Sequence, residues 1–417
     1  AISDLCDNNS FFQMLYKEMT TVHMHTIHKA TAAVRVEAFN HYLEMFDFIL
    51  QWGNEMPYQL PLEWLYEIIS EFVYQFQSFW TDRHNAPGDA EVIAANPDAW
   101  NPGQVLYLLS ELQTCSVIKE AIVADREGRP LPDVPNQILH MLGYFAMVGE
   151  TRIQLMLGDY RAAVKALDVI DLSQTGLFSR VLKCHVMLFY CAGFAYMMLH
   201  RFTDATRTFA KMVVFLQRMV KQSGGIKSFL KDVQKKHDQM LALCAIMKSV
   251  SIEFRVDALV EKNLRDLLTR KNGWDTRVER GDPTVFQELF KFGAPKFIIP
   301  FCSEEDKQGA NKGDPTKAHL QQVTPFLNEV NQRKDISEAA FYLKLYTTVT
   351  IEKLASLLQY EKDMMVSHLL FLKHKSMDTV WKSGNPLSGK TKSMGDVHFF
   401  IRSEERRVGK ECRSRWS

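Results

Sequence analysis

The stretch Leu157–Leu167 (LGDYRAAVKAL) returns 42 residues later as Leu199–Phe209 (LHRFTDATRTF), and this repeat sets the expected fold. The matched pairs are Tyr160 with Phe202, Ala163 with Ala205, Leu167 with Phe209, and Ile170 with Met212. Offsets of three, seven and ten residues place each set on one face of a helix. Because one helical hairpin cannot bury such a face alone, we expect hairpins that stack into a TPR-like helical-repeat solenoid.

Each residue type in the repeat has a packing role. The aromatic residue opens the second helix of the hairpin. The alanine three residues later is small enough for a neighbouring helix to approach, and the large apolar residue one turn later fills the gap. Solenoids are mainly binding surfaces, so the repeat favours a scaffold over an enzyme. The expected packing residues are Tyr160, Ala163, Leu167, Phe202, Ala205 and Phe209.

Composition and charge are those of an ordinary globular protein. The 417 residues are long enough for two or three domains, with 46% hydrophobic and 24% charged residues. The net charge is +1, and residues 402–417 hold six basic against three acidic residues, which leaves the rest of the chain at about −2. A nucleic-acid binder that relies on counterion release usually has an excess of basic residues, and the chain before residue 402 has no such excess.

Cysteine usage and hydropathy indicate a reducing compartment and no membrane. None of the seven cysteines forms a C-x-x-C pair, and an odd, scattered set suits a cytoplasmic protein. The longest uncharged run, Val186–Leu199, has 14 residues, whereas a membrane span needs roughly 20. The cysteines are Cys6, Cys115, Cys184, Cys191, Cys244, Cys302 and Cys412.

Changes in composition divide the chain into five parts. The chain begins without Met and inside a helix-like pattern, so we interpret it as a fragment. The last sixteen residues (RSEERRVGKECRSRWS) look like translated cloning sequence and are assigned no function. The parts are an N-terminal helical region (1–136), TPR-like helical repeats (137–300), a linker and connecting helix (301–335), a winged helix (336–401) and a non-native tail (402–417).

The order of elements changes after residue 336. A helix over Ser337–Tyr346 leads into Thr347–Val349, which is β-branched and strand-like. A short helix and a longer one over Glu361–Lys375 follow. Two strands, at Thr379–Lys382 and Val397–Ile401, then flank a Gly/Ser/Lys loop. This order is typical of a winged-helix domain.

The final predicted strand is the candidate interface. An outer strand leaves one row of N–H and C=O groups unpaired, which favours pairing with another chain. Val397, Phe399 and Ile401 alternate with His398 and Phe400, so we expect at least one large apolar side chain to be exposed. Near-neutral charge favours a protein partner here. The weak basic bias at the end of Glu361–Lys375 leaves room for weak RNA contact.

One motif suggests an enzyme. Gly384–Thr391 (GNPLSGKT) matches G-x-x-x-x-G-K-[ST], in which Lys390 would meet the β/γ-phosphates and Thr391 the magnesium ion. A phosphate loop needs a helix directly after it, because the helix N-terminus supplies amides and dipole. An extended apolar run follows here instead, so a hairpin wing is favoured and an NTPase is the alternative from another class.

No other pattern in the sequence indicates a catalytic, cofactor-binding or metal-binding site. His25 and His28 share a helix face near His23, but no carboxylate or cysteine stands at ligand spacing, which favours a structural role. The aromatic stripe Trp64, Phe72, Phe76 and Phe79 is expected to form core. We therefore predict no catalytic, cofactor-binding or metal-binding residues.

A helical-repeat solenoid followed by a winged helix resembles the PCI module of the proteasome lid, the COP9 signalosome and eukaryotic translation initiation factor 3. Residues 338–358 (EAAFYLKLYTTVTIEKLASLL) resemble the entry into the winged helix of that module. Trp64–Phe79, Met141–Phe145 with Leu157–Tyr160, and Phe371–Lys375 are similar to the initiation factor members, and the resemblance spans roughly residues 11–401.

The resemblance implies a non-catalytic scaffold subunit of translation initiation factor 3, which supports small-ribosomal-subunit binding and mRNA recruitment. Implied partners are the other subunits of that factor, especially subunit K, and the small ribosomal subunit. Family members carry an N-terminal extension and C-terminal helices that this chain lacks, so the resemblance also implies a fragment. A PCI scaffold subunit of the proteasome lid or signalosome is the alternative within the family.

Overall fold

A computed structural model of the chain is mainly helical, which confirms the predicted mainly α class, while the TPR-like repeats and the winged helix stay a prediction. The chain forms two compact units, and two of the five divisions between them fall within helices, after residues 191 and 320. The structure describes residues 9–27, 30–53, 59–82, 89–130, 132, 136–222, 230–250, 256–270, 273–280, 282–299, 315–393, 398–402 and 407–410.

The first unit comprises residues 1–191, 295–320 and 383–387. Helix α9 (Leu182–Met198) continues from the first unit into the second and follows a 3-10 helix at Leu177–Arg180. The preceding helices are α1 (Ser10–Ile27), α2 (Ala32–Trp52), α3 (Leu62–Asp82), α4 (Asp89–Ala95), α5 (Pro102–Cys115), α6 (Ile118–Glu127), α7 (Gln137–Leu157) and α8 (Tyr160–Lys165).

The second unit comprises residues 192–294, 321–382 and 388–417. None of the described helices in either unit is both long and apolar enough to cross a membrane. The helices of the second unit after α9 are α10 (Phe202–Gln222), α11 (Leu230–Val250), α12 (Ala258–Arg270), α13 (Trp274–Arg280), α14 (Pro283–Gly293), most of α15 (Pro315–Leu345), α16 (Ile351–Leu358) and α17 (Lys362–Lys375).

The aromatic stripe of α3 forms core, with one exception. Phe72, Phe76 and Phe79 are buried, and the Phe72 ring lies 5.3 Å from that of Trp100. Trp64 is 51% exposed, so its assignment to the core is wrong. At about 100° per residue, Trp64 lies about 80° round the helix from Phe72, outside the buried face.

The first hairpin departs from the repeat prediction. Helix α8 ends at Lys165, and Leu167 and Ile170 lie in turns beyond it, so they do not share a helix face with Tyr160. Their amides bond carbonyls three residues back, as in tight turns. Asp168 and the β-branched residues after it are poor helix formers, which accounts for the early end. Leu167 and Ile170 are nevertheless buried, as is Ala163, while Tyr160 is half-buried.

The second hairpin contains a close approach between its two helices. Phe202, Ala205, Phe209 and Met212 all lie on α10 and are almost fully buried. A Cβ added at Gly193 of α9 would lie 2.3 Å from the Phe209 ring. The glycine, rather than an alanine, therefore admits the large side chain of the neighbouring helix. The packing roles of the repeat as a whole stay a prediction.

The C-terminal strands form two small antiparallel sheets. One has the order β1–β5–β4 and the other pairs β2 with β3. The predicted strand at 379–382 begins two residues earlier, and β3 and β5 were not predicted. The strands are β1 (Thr348–Thr350), β2 (Met377–Val380), β3 (Lys390–Ser393), β4 (Phe399–Arg402) and β5 (Arg407–Lys410).

Two predicted boundaries do not separate structural parts. The division at residue 336 falls inside α15, which is one helix from 315 to 345. The division at residue 402 cuts off β5, yet β5 pairs with β1 on one side and with β4 on the other. The hydrogen bonds of these pairings satisfy backbone N–H and C=O groups of β1 and β4, so residues 407–410 belong to the folded sheet. The non-native origin of residues 402–417 stays a prediction.

The contact between α1 and α2 buries an acid. Glu18 is 8% exposed, and its carboxyl group accepts a 3.2 Å hydrogen bond from the Tyr42 hydroxyl. Burial raises the pKa of Glu18 from its ordinary value of 4.5 to about 7. The folded state therefore binds this proton more tightly than the unfolded state does. The resulting stability is fully present below about pH 4.5 and is lost as the pH rises through 7.

We predict that Glu18→Gln stabilises the chain more at pH 8 than at pH 5, by about 2–3 kcal/mol, because glutamine cannot ionise. Urea denaturation of both proteins at both pH values measures this difference. Glu37→Gln, at an exposed site on α2, is the control and should show the same effect at the two pH values. A pH-independent effect of Glu18→Gln would contradict the prediction.

We predict that Gly193→Ala lowers the free energy of unfolding by about 1–2 kcal/mol. Overpacking against Phe209 costs about 1–3 kcal/mol, whereas the gain in helix propensity is at most about 1 kcal/mol. The same substitution in a Phe209→Leu background should cost less, since the ring is gone. If urea denaturation gave the same loss of unfolding free energy in both backgrounds, the Phe209 ring would not be what limits how closely α9 and α10 approach.

Candidate interaction site

A buried carboxylate at the start of α10 organises the candidate site. Asp204 is 1% exposed and accepts hydrogen bonds from Nε and Nη2 of Arg201 at 3.0 and 2.7 Å. The Arg201 guanidinium also lies over the Tyr196 ring, 4.7 Å from its centroid. Burial raises the pKa of Asp204, and Arg201 opposes that rise. The two side chains form a buried pair whose members depend on each other.

The same pair holds the segment that follows β2. The backbone N–H of Trp381 donates to both carboxylate oxygens of Asp204, at 2.9 and 3.0 Å. Nη2 of Arg201 donates to the Ser388 carbonyl at 2.9 Å, and Nη1 of Arg207 donates to the Trp381 carbonyl. Charge-assisted bonds of this kind are about twice as strong as neutral ones. The β2–β3 hairpin (residues 377–393) is therefore fixed to α10 through residues on both of its sides.

A residue of β2 also caps α10. In the first hairpin, Asp159 precedes α8 and accepts from the N–H of Ala162, as a helix-capping residue does. At the matched position, α10 has Arg201, which cannot accept. Asp378 of β2 accepts instead from the N–H of Thr203 at 3.1 Å. The sequence shows that the second repeat lacks the capping acid of the first, but it does not show which segment supplies the acceptor.

The Gly384–Thr391 motif lies in this hairpin and is not built as a phosphate loop. Lys390 and Thr391 begin strand β3, where they pair with Val380 and Thr379, so a strand stands where the motif requires a helix. At Gly389 the backbone passes so close to Thr379 that an added Cβ would lie 2.5 Å from its methyl group. The glycine thus serves the approach of two strands.

The candidate interface residues lie in or near β4. Strand β4 is at one edge of its sheet, because it pairs only with β5 among the strands described. Phe399 is 4% exposed and packs in the core formed by α15, α16 and α17, and Ile401 is partly buried against that core. Phe399 is therefore not the exposed apolar side chain that the pattern predicts, because it packs against these helices, and the role of the strand as an interface stays a prediction. Val397 lies outside the described residues.

Exposed apolar residues of this region lie on helices instead. Phe341 and Leu345 are 58% and 62% exposed and stand four residues apart on α15, on one face. Leu370 of α17 is 57% exposed. Large apolar side chains that are exposed on one helix face, as Phe341 and Leu345 are, are typical of protein-binding surfaces.

The histidine cluster carries no site in the described structure. His23 is exposed, while the side chain of His25 and the whole of His28 lie outside the described residues. Across the part of the chain that is described, no three His, Cys, Asp or Glu side chains are placed to hold a metal ion.

Fold and site together define a mainly α-helical protein whose small C-terminal α/β segment is anchored to a helical hairpin. A family model described as "RNA polymerase I-associated factor PAF67" matches residues 34–412. Eukaryotic translation initiation factor 3 subunit L of Mus musculus is 34% identical over 413 residues, which cover 96% of this chain and 72% of that protein. The chain belongs to the family of translation initiation factor 3 subunit L.

Relatives from distant animals give the same result. Subunit L of Homo sapiens is 33% identical, again over 96% of this chain and 72% of that protein. Subunit L of Nematostella vectensis is 34% identical, over 96% of this chain and 77% of that protein. The family match runs through residue 412, past the boundary predicted at residue 402.

We predict that Asp204→Asn lowers the free energy of unfolding by about 3–5 kcal/mol, because Arg201 then stays buried without a counter-charge. Urea denaturation measures the loss, and trypsin should cut faster after Lys382 and Lys390. Asp159→Asn is the matched control and should change stability by less than about 0.5 kcal/mol, because asparagine caps a helix equally well. Equal stability of the two variants would show that Asp204 is not an anchor.

Proposed function

We propose that the chain is a non-catalytic scaffold subunit of translation initiation factor 3, which acts in the cytoplasm and supports small-ribosomal-subunit binding and mRNA recruitment. The similarity to subunit L proteins over 96% of the chain carries this proposal. In this proposal the helical hairpins form a TPR-like solenoid, and residues 336–401 form the winged helix of a PCI module, whose sheet β5 completes. Subunit K is the proposed direct partner.

The non-catalytic role is supported by what the motif residues do. Lys390 and Thr391 are exposed on strand β3, which occupies the place directly after the loop where a phosphate-binding motif has its helix N-terminus. The described buried thiols are also poorly suited to nucleophilic chemistry, since burial raises the pKa of Cys184 and raises that of Cys244 to about 12. The NTPase alternative therefore has no geometric support in this hairpin.

The proposed docking surface for subunit K consists of Phe341 and Leu345 on α15. Both side chains are more than half exposed, and they lie beside the core that contains Leu343 and Phe399. Interfaces between subunits are centred on a few large apolar side chains that become buried on binding. Deletion of the whole region is a poor test, because it would cut α15 and remove the groups that bind Asp204.

We predict that Phe341→Glu with Leu345→Glu reduces recovery of subunit K at least about tenfold, since two charges would enter an apolar contact. The measurement is a pull-down from a mixture of this chain and purified subunit K. Tyr107→Glu with Trp52→Glu is the matched control, because both residues are at least half exposed in the first unit. Failure of the unaltered chain to recover subunit K would overturn the proposed partner, and equal recovery by both variants would overturn the docking surface.

A further inference from the structure

Helix α10 carries a stripe of basic residues on its exposed face. Arg207, Lys211 and Arg218 are all exposed. At about 100° per residue they lie within about 40° of one another round the helix, and they span about 16 Å along its axis. The exposed apolar residues Met219 and Val220 lie at least about 80° away from every member of this stripe.

The β2–β3 hairpin adds lysines next to this helix. Strand β2 packs against α10, and Lys382 directly follows Trp381, whose amide Asp204 holds. Lys390 and Lys392 are exposed on β3 and, two residues apart, share one face of the strand. We call Arg207, Lys211, Arg218, Lys382, Lys390 and Lys392 together the basic surface.

Acidic side chains of the same two elements neutralise only a small part of the basic surface. Residues 202–222 contain four basic residues and one acid, and residues 377–393 contain three basic residues and one acid. Those acids are Asp204, which is buried against Arg201 and also lies 3.8 Å from Nη1 of Arg207, and Asp378, which caps α10. Among the described residues, Arg218, Lys382 and Lys390 form no ion pair, and neither does Lys392. Positive charge is therefore concentrated here, although the whole chain is close to neutral.

We propose that the basic surface binds the phosphate backbone of RNA without regard to sequence. Its length on α10 corresponds to about five nucleotides at about 3.4 Å each. Cations placed in a row, with no exposed aromatic side chain among the described residues of α10 and of the β2–β3 hairpin, suit contact with a phosphate backbone rather than with bases. The proposal does not depend on the docking surface at Phe341 and Leu345, so each can fail without the other.

The test measures fluorescence anisotropy of a labelled 20-nucleotide oligouridine RNA with the full chain over a range of salt concentrations. The hairpin variant carries Lys382→Gln, Lys390→Gln and Lys392→Gln. We expect it to bind at least tenfold more weakly at low salt. The slope of log affinity against log salt should fall by about 2, because each lost phosphate contact removes about 0.7.

The control removes three cations from the first unit instead. Arg126→Gln, Arg161→Gln and Lys165→Gln change exposed residues of α6 and α8, and Lys165 is the repeat counterpart of Arg207. This control should bind RNA as the unaltered chain does. Arg218→Gln alone tests α10 separately and should lower the slope by about 0.7.

Three results would overturn the proposal. They are an equal loss in the control, an affinity of the unaltered chain that does not depend on salt, and binding of a polyglutamate peptide where RNA does not bind. The last result would assign the basic surface to an acidic protein segment. Recovery of subunit K by the hairpin variant should stay unchanged, which separates a failure of RNA binding from a failure of the scaffold role.

Discussion

The buried carboxylate of Asp204 is the interaction on which the second unit depends. An acid that is 1% exposed is stable in the interior only when donors replace its water, and here Arg201 and the Trp381 amide do so. These donors come from the helical hairpin and from the segment after β2. Satisfying one buried charge therefore fixes the orientation of two elements that are about 175 residues apart in sequence.

Helix α10 and the β2–β3 hairpin stabilise each other, because each supplies hydrogen-bond partners that the other lacks. The helix lacks a capping residue of its own, and the hairpin needs partners for the carbonyl groups of Trp381 and Ser388. Asp378 supplies the cap, and the two arginines bind the carbonyls. Because every one of these groups would otherwise be left unpaired in a buried or half-buried place, separation of the two elements is costly. The rigidity that results suits a surface on which charges must keep their spacing.

In this region the acidic side chains and the lysines differ in how far they are buried. The acids lie inside, where they bind arginine, backbone amides or a helix end, and the lysines remain outside. A chain that is nearly neutral overall can thus present a strongly positive surface locally. In the sequence, the near-neutral net charge favoured a protein partner. That sum counts buried acids and exposed lysines equally, so it does not reveal the positive surface. The apolar residues Phe341 and Leu345 and the basic surface can therefore serve different partners.

Local patterns in the sequence determined the helical class, the burial of Phe72, Ala205 and Phe209, and the strand at the end of the chain that contains Phe399, because period and propensity act over a few residues. Only the tertiary structure decided that Gly193 makes the close approach and that residues 407–410 fill the sheet between β1 and β4. It also decided that Phe399 belongs to the core and that Asp378 caps α10. Each of these depends on contacts between segments far apart in the chain, for which neither helical periodicity nor local propensity contains a signal.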